Sequence, residues 1–93
     1  MIRSFKDRTT EAVFHGETRK GFPSDLVQIA RRKLRYLDAA RDVRDLRVPP
    51  GSRLEALAGN RRGQHSIRVN DQFRICFRWT PEGPTDVEIT DYH

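Results

Sequence analysis

Phe73-Arg74-Ile75-Cys76-Phe77-Arg78-Trp79 alternates large apolar residues with arginine or cysteine without a break, and Ser66-Ile67-Arg68-Val69 does the same just upstream. Period-2 alternation is the mark of a half-buried strand, so the two runs read as a β-hairpin. Asn70-Asp71 lies between them, and both residue types tolerate the positive φ values that a tight hairpin turn requires. Pro81-Glu82-Gly83-Pro84 makes a second turn, after which Val87 and Ile89 alternate with Asp86, Glu88 and Thr90. The expectation is a three-stranded antiparallel meander.

Alternation assigns faces as well as strands. Ile67, Val69, Phe73, Ile75, Phe77, Trp79, Val87 and Ile89 share one face, which must be covered. Upstream, Leu26, Ile29, Ala30, Leu34 and Leu37 recur at helical spacing, with Ser24 placed as an N-cap and Asp25 at the positive end of the helix dipole. That helix is the large apolar stripe available to cover the sheet. The fold class is therefore α+β. Ser66, Arg68, Arg74, Arg78, Glu88, Thr90 and Tyr92 project from the other face, which is left open and basic. The outward side of the helix carries Arg31, Arg32, Arg35, Asp38 and Arg41, either a nucleic-acid contact or a solvated helix face.

Farther out, Ile2-Arg3-Ser4-Phe5 alternates like a short strand able to pair with the sheet. Lys6 to Gly21 is polar, with a short helix opened by Thr9 or Thr10, carrying Val13 and Phe14 and stopped near Gly16. Val43 and Leu46 suggest another helical turn before Pro49-Pro50-Gly51. Leu54-Glu55 to Leu57 is too short to settle. Gly59-Asn60-Arg61-Arg62-Gly63 reads as a turn, or as a loop whose backbone and arginines contact phosphate.

Ninety-three residues suit one domain over 1–93 with one modest core. The formal charge of +5 and a pI near 10.1 point to an anionic partner, either nucleic acid or an acidic protein. Fifteen of the 18 basic residues are Arg, the exceptions being Lys6, Lys20 and Lys33; arginine suits bidentate phosphate contacts. No run approaches the roughly 20 apolar residues of a membrane helix, and the N-terminus lacks a secretory core, so the expected location is cytoplasmic. Cys76, the single cysteine, excludes an internal disulfide and reads as a packed thiol.

Asp91-Tyr92-His93 closes the sequence with three side chains able to move protons. Cleavage of RNA without a metal needs a base for the ribose 2′-OH, an acid for the leaving 5′ oxygen and positive charge on the non-bridging oxygens. His93 suits base or acid, Asp91 suits base or orienting group, and Tyr92 suits stacking or positioning. Arg68 and Arg74 would hold the phosphate, and Arg61, Arg62, His65 and Arg78 would line the RNA path. The plainer alternatives are a frayed end and strand arginines that bridge to Glu88 or Asp86, each pair worth about 0.2–1 kcal/mol. His15, His65 and His93 show no metal-ligand spacing, so no metal or cofactor is expected.

Met1-Ile2-Arg3-Ser4-Phe5, Arg53-Leu54-Glu55-Ala56-Leu57, Gly59-Asn60-Arg61, Gly63-Gln64-His65-Ser66-Ile67-Arg68-Val69-Asn70-Asp71-Gln72 and Asp91-Tyr92-His93 form a set of motifs. Together they resemble the HigB toxins of the RelE/ParE superfamily, also called plasmid maintenance system killer proteins, and particularly their GraT-like branch. The resemblance implies a small RelE-like fold and ribosome-dependent cleavage of mRNA that inhibits translation. It also implies a HigA-type helix-turn-helix antitoxin as partner, with operator DNA bound only through that antitoxin. Its functional positions fall on Asp91, Tyr92, His93, Arg74 and Arg68. Glu55 and Ala58 stand where some relatives carry a His and a Lys, so Glu55 either replaces that His as base or the role is absent. A non-enzymatic, ParE-like toxin acting on a protein target is the alternative.

Overall fold

In the computed structural model, which describes residues 1–91, the alternating run becomes β3 (Arg74–Thr80), flanked by β2 (His65–Arg68) and β4 (Gly83–Thr90). A two-residue strand, β1 (Glu55–Ala56), completes an antiparallel sheet ordered β1-β2-β3-β4 among the described residues. The meander is thus as expected, with one strand more. Glu55 and Ala56 are both exposed, so hydrophobic alternation could not announce them; their pairing with Ser66 and His65 does.

The β2–β3 turn works by a different device from the one expected. Neither Asn70 nor Asp71 has a positive φ. Instead the Asn70 side-chain oxygen accepts from the backbone N–H groups of Gln72 and Phe73, at 2.9 and 2.7 Å, replacing a backbone turn by an Asx turn. Alternation also fails once in β4. Cys76 pairs with Glu88 and Arg78 with Thr85, so β4 spends one extra residue there, a bulge with Asp86 at φ 52°.

The helix α1 (Arg8–Phe14) begins at Asp7, whose side chain accepts from Thr10 N–H at 2.7 Å, earlier than the threonines expected to cap it. It ends at Gly16, whose φ of +81° is unfavourable for side-chain-bearing residues. Thr10 is almost fully buried, and its hydroxyl accepts from Ile89 N–H on β4 at 2.9 Å. Thr10→Val keeps the shape and orphans that N–H, so we expect a loss of about 1–3 kcal/mol, read as a lower urea midpoint at unchanged slope.

The cover helix α2 (Val27–Ala39) starts three residues after Ser24, because Ser24–Leu26 forms a 3-10 turn and Ser24 makes no side-chain cap bond. Its buried stripe is Val27, Ala30, Leu34 and Leu37. Ile29, expected in that stripe, is 39% exposed; it stands about 100° from Ala30 around the helix and so misses the sheet. Leu34 and Leu37 meet Ile67, Ile75, Phe77 and Val87 in a fully buried core.

The remaining turns close the edges. Asp42 caps a 3-10 turn, Val43–Arg47, through a capping box with Asp45, and this buries Leu46. The N-terminal run pairs with β4 in parallel, through Val87 N–H to Ser4 and Lys6 N–H to Val87, at 3.1 and 2.9 Å. The Asp38 side chain accepts from Ile2 N–H at 2.7 Å. No helix among the described residues is long and apolar enough to cross a membrane.

Candidate functional site

Sheet register stacks the chemistry on the face away from α2 in two rows. Glu55, Ser66, Cys76 and Glu88 lie side by side across all four strands. Arg68, Arg74 and Thr90 form the next row. Arg68 and Arg74 are therefore direct cross-strand partners, a like-charge pairing that is unfavourable unless anions balance it. Arg68 pairs with Asp71, and Arg74 lies 3.7 Å from Glu55.

Arg74 is held from three sides. Its Nε donates to Ser66 Oγ at 2.8 Å, and a terminal nitrogen donates to the Arg53 carbonyl at 2.7 Å. Glu55 flanks the same group. Only 16% of the Arg74 side chain is exposed, whereas Glu55 is 55% exposed and Asp71 fully so. The Arg74 guanidinium is thus fixed while Glu55 beside it, and Asp71 beside Arg68, stand in solvent, where ion pairs are weak and readily exchanged for another anion.

The centre of the face is not the open groove expected from alternation. Ser66 and Cys76 are fully buried. Arg61, on the 3-10 turn Gly59–Arg61, reaches Glu88 at 3.0 Å and Gln64 at 3.2 Å, and Lys6 approaches Glu88 at 3.9 Å. Burial pushes the Cys76 thiol up from its ordinary value, against the pull of Arg61 and Arg74. A packed thiol with a disfavoured thiolate is no nucleophile.

The other expected RNA-contact residues divide. Arg62 and Arg78 are exposed, and Arg78 donates to the Arg62 carbonyl at 3.4 Å. Gly63 permits this approach, since a Cβ there would lie 2.7 Å from the Arg78 guanidinium and its φ is +90°. Arg78 stands about 13 Å along β3 from Arg74. His65 is not on this face. It shares parity with Ile67, pairs with Phe77 and stacks on that ring at 6.1 Å. Its position is a packing one.

Asp91 follows Thr90, the register partner of Arg74, and accepts from Gln72 Nε2 at 3.0 Å. Tyr92 and His93, the other two members of the expected proton-transfer group, lie outside the described residues. Lys33 is the residue that sequence reading passed over. It projects from α2, donates to the buried Ser52 hydroxyl at 2.8 Å, and its pKa is lowered by burial, then by Arg68 and Arg32. Its charge therefore adds to the field at Arg68. The available signal was its position directly before Leu34, at the margin of the apolar stripe.

A family model described as the RelE-like toxin of the type II toxin-antitoxin system HigB matches residues 3–93. The chain belongs to the HigB-like toxin family. It is 45% identical over 80 residues to Toxin HigB-1 of Vibrio cholerae, covering 85% of this chain and 84% of that protein. It is 29% identical over 93 residues to Endoribonuclease HigB of Proteus vulgaris, over the full length of both. The fold matches a chain of the YoeB-YefM complex from Staphylococcus aureus with a TM-score of 0.63, at 14% identity, covering 100% of this chain and 98% of that one. As a type II toxin, this HigB-like chain has an antitoxin as partner.

Proposed function

We propose that this HigB-like toxin is an endoribonuclease that cuts mRNA on the ribosome and so inhibits translation. The carrying observation is the cross-strand pair Arg68–Arg74, in register with Thr90, the residue directly before Asp91-Tyr92-His93. Membership in the family, and the name Endoribonuclease HigB borne by the full-length relative, support the same reading.

In the reaction a base removes the 2′-OH proton, the 2′ oxygen attacks phosphorus and the 5′ oxygen leaves with a proton from the acid. The products are a 2′,3′-cyclic phosphate and a free 5′-OH. Arg68 and Arg74 take up charge on the non-bridging oxygens, a contribution that fixed donors make without reorganising. His93 serves as acid or base, Asp91 orients it or shares the base role, and Tyr92 positions the substrate. Glu55, ion-paired to Arg74, is a second carboxylate within reach of that row. Arg62 and Arg78 hold the RNA strand farther along the face. The whole span 1–93 acts as one toxin domain, in the cytoplasm where ribosomes are. The antitoxin is of the HigA helix-turn-helix type, and operator DNA is bound only through it.

Ribosome dependence follows from what the face lacks. The clamp among the described residues is the cross-strand pair Arg68–Arg74, so orientation of the 2′-OH in line with the leaving oxygen must come from elsewhere. A decoding site that holds mRNA rigidly provides it. Purified protein should cut mRNA on translating ribosomes and leave ribosome-free transcript intact. Intact mRNA on ribosomes would overturn the proposal.

Ser66 is a positioning residue in this scheme. Ser66→Ala removes the acceptor that aims Arg74, at a cost of about 1–2 kcal/mol, or roughly tenfold in rate. The loss should fall on kcat rather than KM in ribosome cleavage assays, since the charge remains and only its aim is lost.

A further inference from the structure

Only some arginines of this chain stand in ion pairs among the described residues. Arg44, Arg61, Arg68 and Arg74 each stand beside a carboxylate. Arg31, Arg32 and Arg35 do not: no ion pair involves them among the described residues. With Gln28 they line an open cavity of about 400 Å³ on one flank of α2. Arg31 and Arg35 are four residues apart, a spacing at which like charges repel along a helix.

Arg31 also has a partly buried position. Its Nε is shielded from solvent and has no hydrogen-bond partner among the described residues. The turn after α1 presses on it closely, since a Cβ at Gly16 would lie 3.1 Å from the guanidinium carbon. A shielded, unpaired charged donor is costly unless an acceptor reaches it. The described residues supply none.

We infer that this flank of α2 docks an acidic segment of the antitoxin, whose carboxylates pair with Arg31, Arg32 and Arg35. The inference rests on the antitoxin partnership of the family and not on RNA cleavage. One observation favours protein over RNA. At about 100° per residue, Gln28, Arg31 and Arg35 occupy the flank of α2 opposite Lys33, which faces Ser52 and Arg68. The cavity is therefore separate from the proposed RNA face. Guanidinium pairs with carboxylates bidentately, which also fixes the docking geometry.

The test uses the full-length toxin and its cognate antitoxin, purified as the co-expressed complex and then separated. Arg31→Ala/Arg32→Ala/Arg35→Ala should weaken antitoxin affinity at least about tenfold, while growth arrest by the toxin alone stays at its wild-type level. The corresponding three Arg→Lys substitutions should recover part of the affinity. Arg35→Ala alone, at an exposed position, should weaken binding about threefold and guards against a folding defect in the triple variant. Unchanged antitoxin affinity with lost growth arrest would overturn the inference in favour of an RNA surface. Unchanged affinity and unchanged arrest would overturn it in favour of a solvated helix face. Failure of the wild-type toxin to cut mRNA would remove the cleavage reading and leave the antitoxin measurement standing.

Discussion

Arg74→Ala is expected to slow mRNA cleavage on translating ribosomes by about 10²- to 10³-fold, the usual cost of losing one preorganised donor to a developing oxyanion. The size of the effect comes from fixation. A guanidinium anchored by Ser66 Oγ and the Arg53 carbonyl, at 2.8 and 2.7 Å, has already lost its rotamer freedom, so none is surrendered as charge builds on the phosphorane. Arg74→Lys should recover little of the rate, because a single ammonium cannot span two anchors and a phosphate at once. Folding stability should change by less than about 1 kcal/mol, since the deletion also relieves repulsion from Arg68 across the strand pair. Single-turnover cleavage with ribosome-bound mRNA measures the first quantity and urea denaturation the second. A rate within threefold of wild type would reduce Arg74 to a structural pin for β1.

Deleting Asp91-Tyr92-His93 should abolish detectable cleavage, and His93→Ala alone should lower it about 10²- to 10⁴-fold, the range for a general acid or base. Imidazole is the side chain whose ordinary titration spans neutrality, so His93→Ala should also remove one limb of the pH–rate profile between about pH 5 and 8. The deletion separates two classes of function. A toxin that inhibits a protein target, in the ParE manner, has no use for these three residues and would arrest growth without them. Undiminished toxicity of the truncated chain would therefore replace the enzyme by an inhibitor. The deletion spares β4, which ends at Thr90, but removes the Gln72–Asp91 hydrogen bond, so urea denaturation of the truncated chain is the folding control.

Much of the site was legible from local pattern. Alternation at residues 66–79 put Arg68 and Arg74 on the face away from the helix, and the register makes them cross-strand partners. Parity also carried the information that His65 lies on the Ile67 side, with Phe77 and away from Arg68 and Arg74. Ile29 was misplaced for a related reason. Apolar spacing of three and four residues fits several stripes on one helix, and only the sheet selects Val27, Ala30, Leu34 and Leu37.

Sequence by itself determined the meander, the helix that covers it, the basic face and the proton-handling trio after the last strand. These rest on periodicity among neighbouring residues, where identity and spacing act directly on the backbone. Tertiary structure decided the rest. It brought Glu55 into the sheet beside Ser66, set Arg61 over Glu88 from 27 residues away, tied Arg74 to the Arg53 carbonyl across 21 and turned Lys33 toward Ser52 across 19. The Asp86 bulge belongs with these, since it shows only in the register with β3. Such contacts form between segments whose meeting depends on how the chain closes over its core, so no local pattern records them.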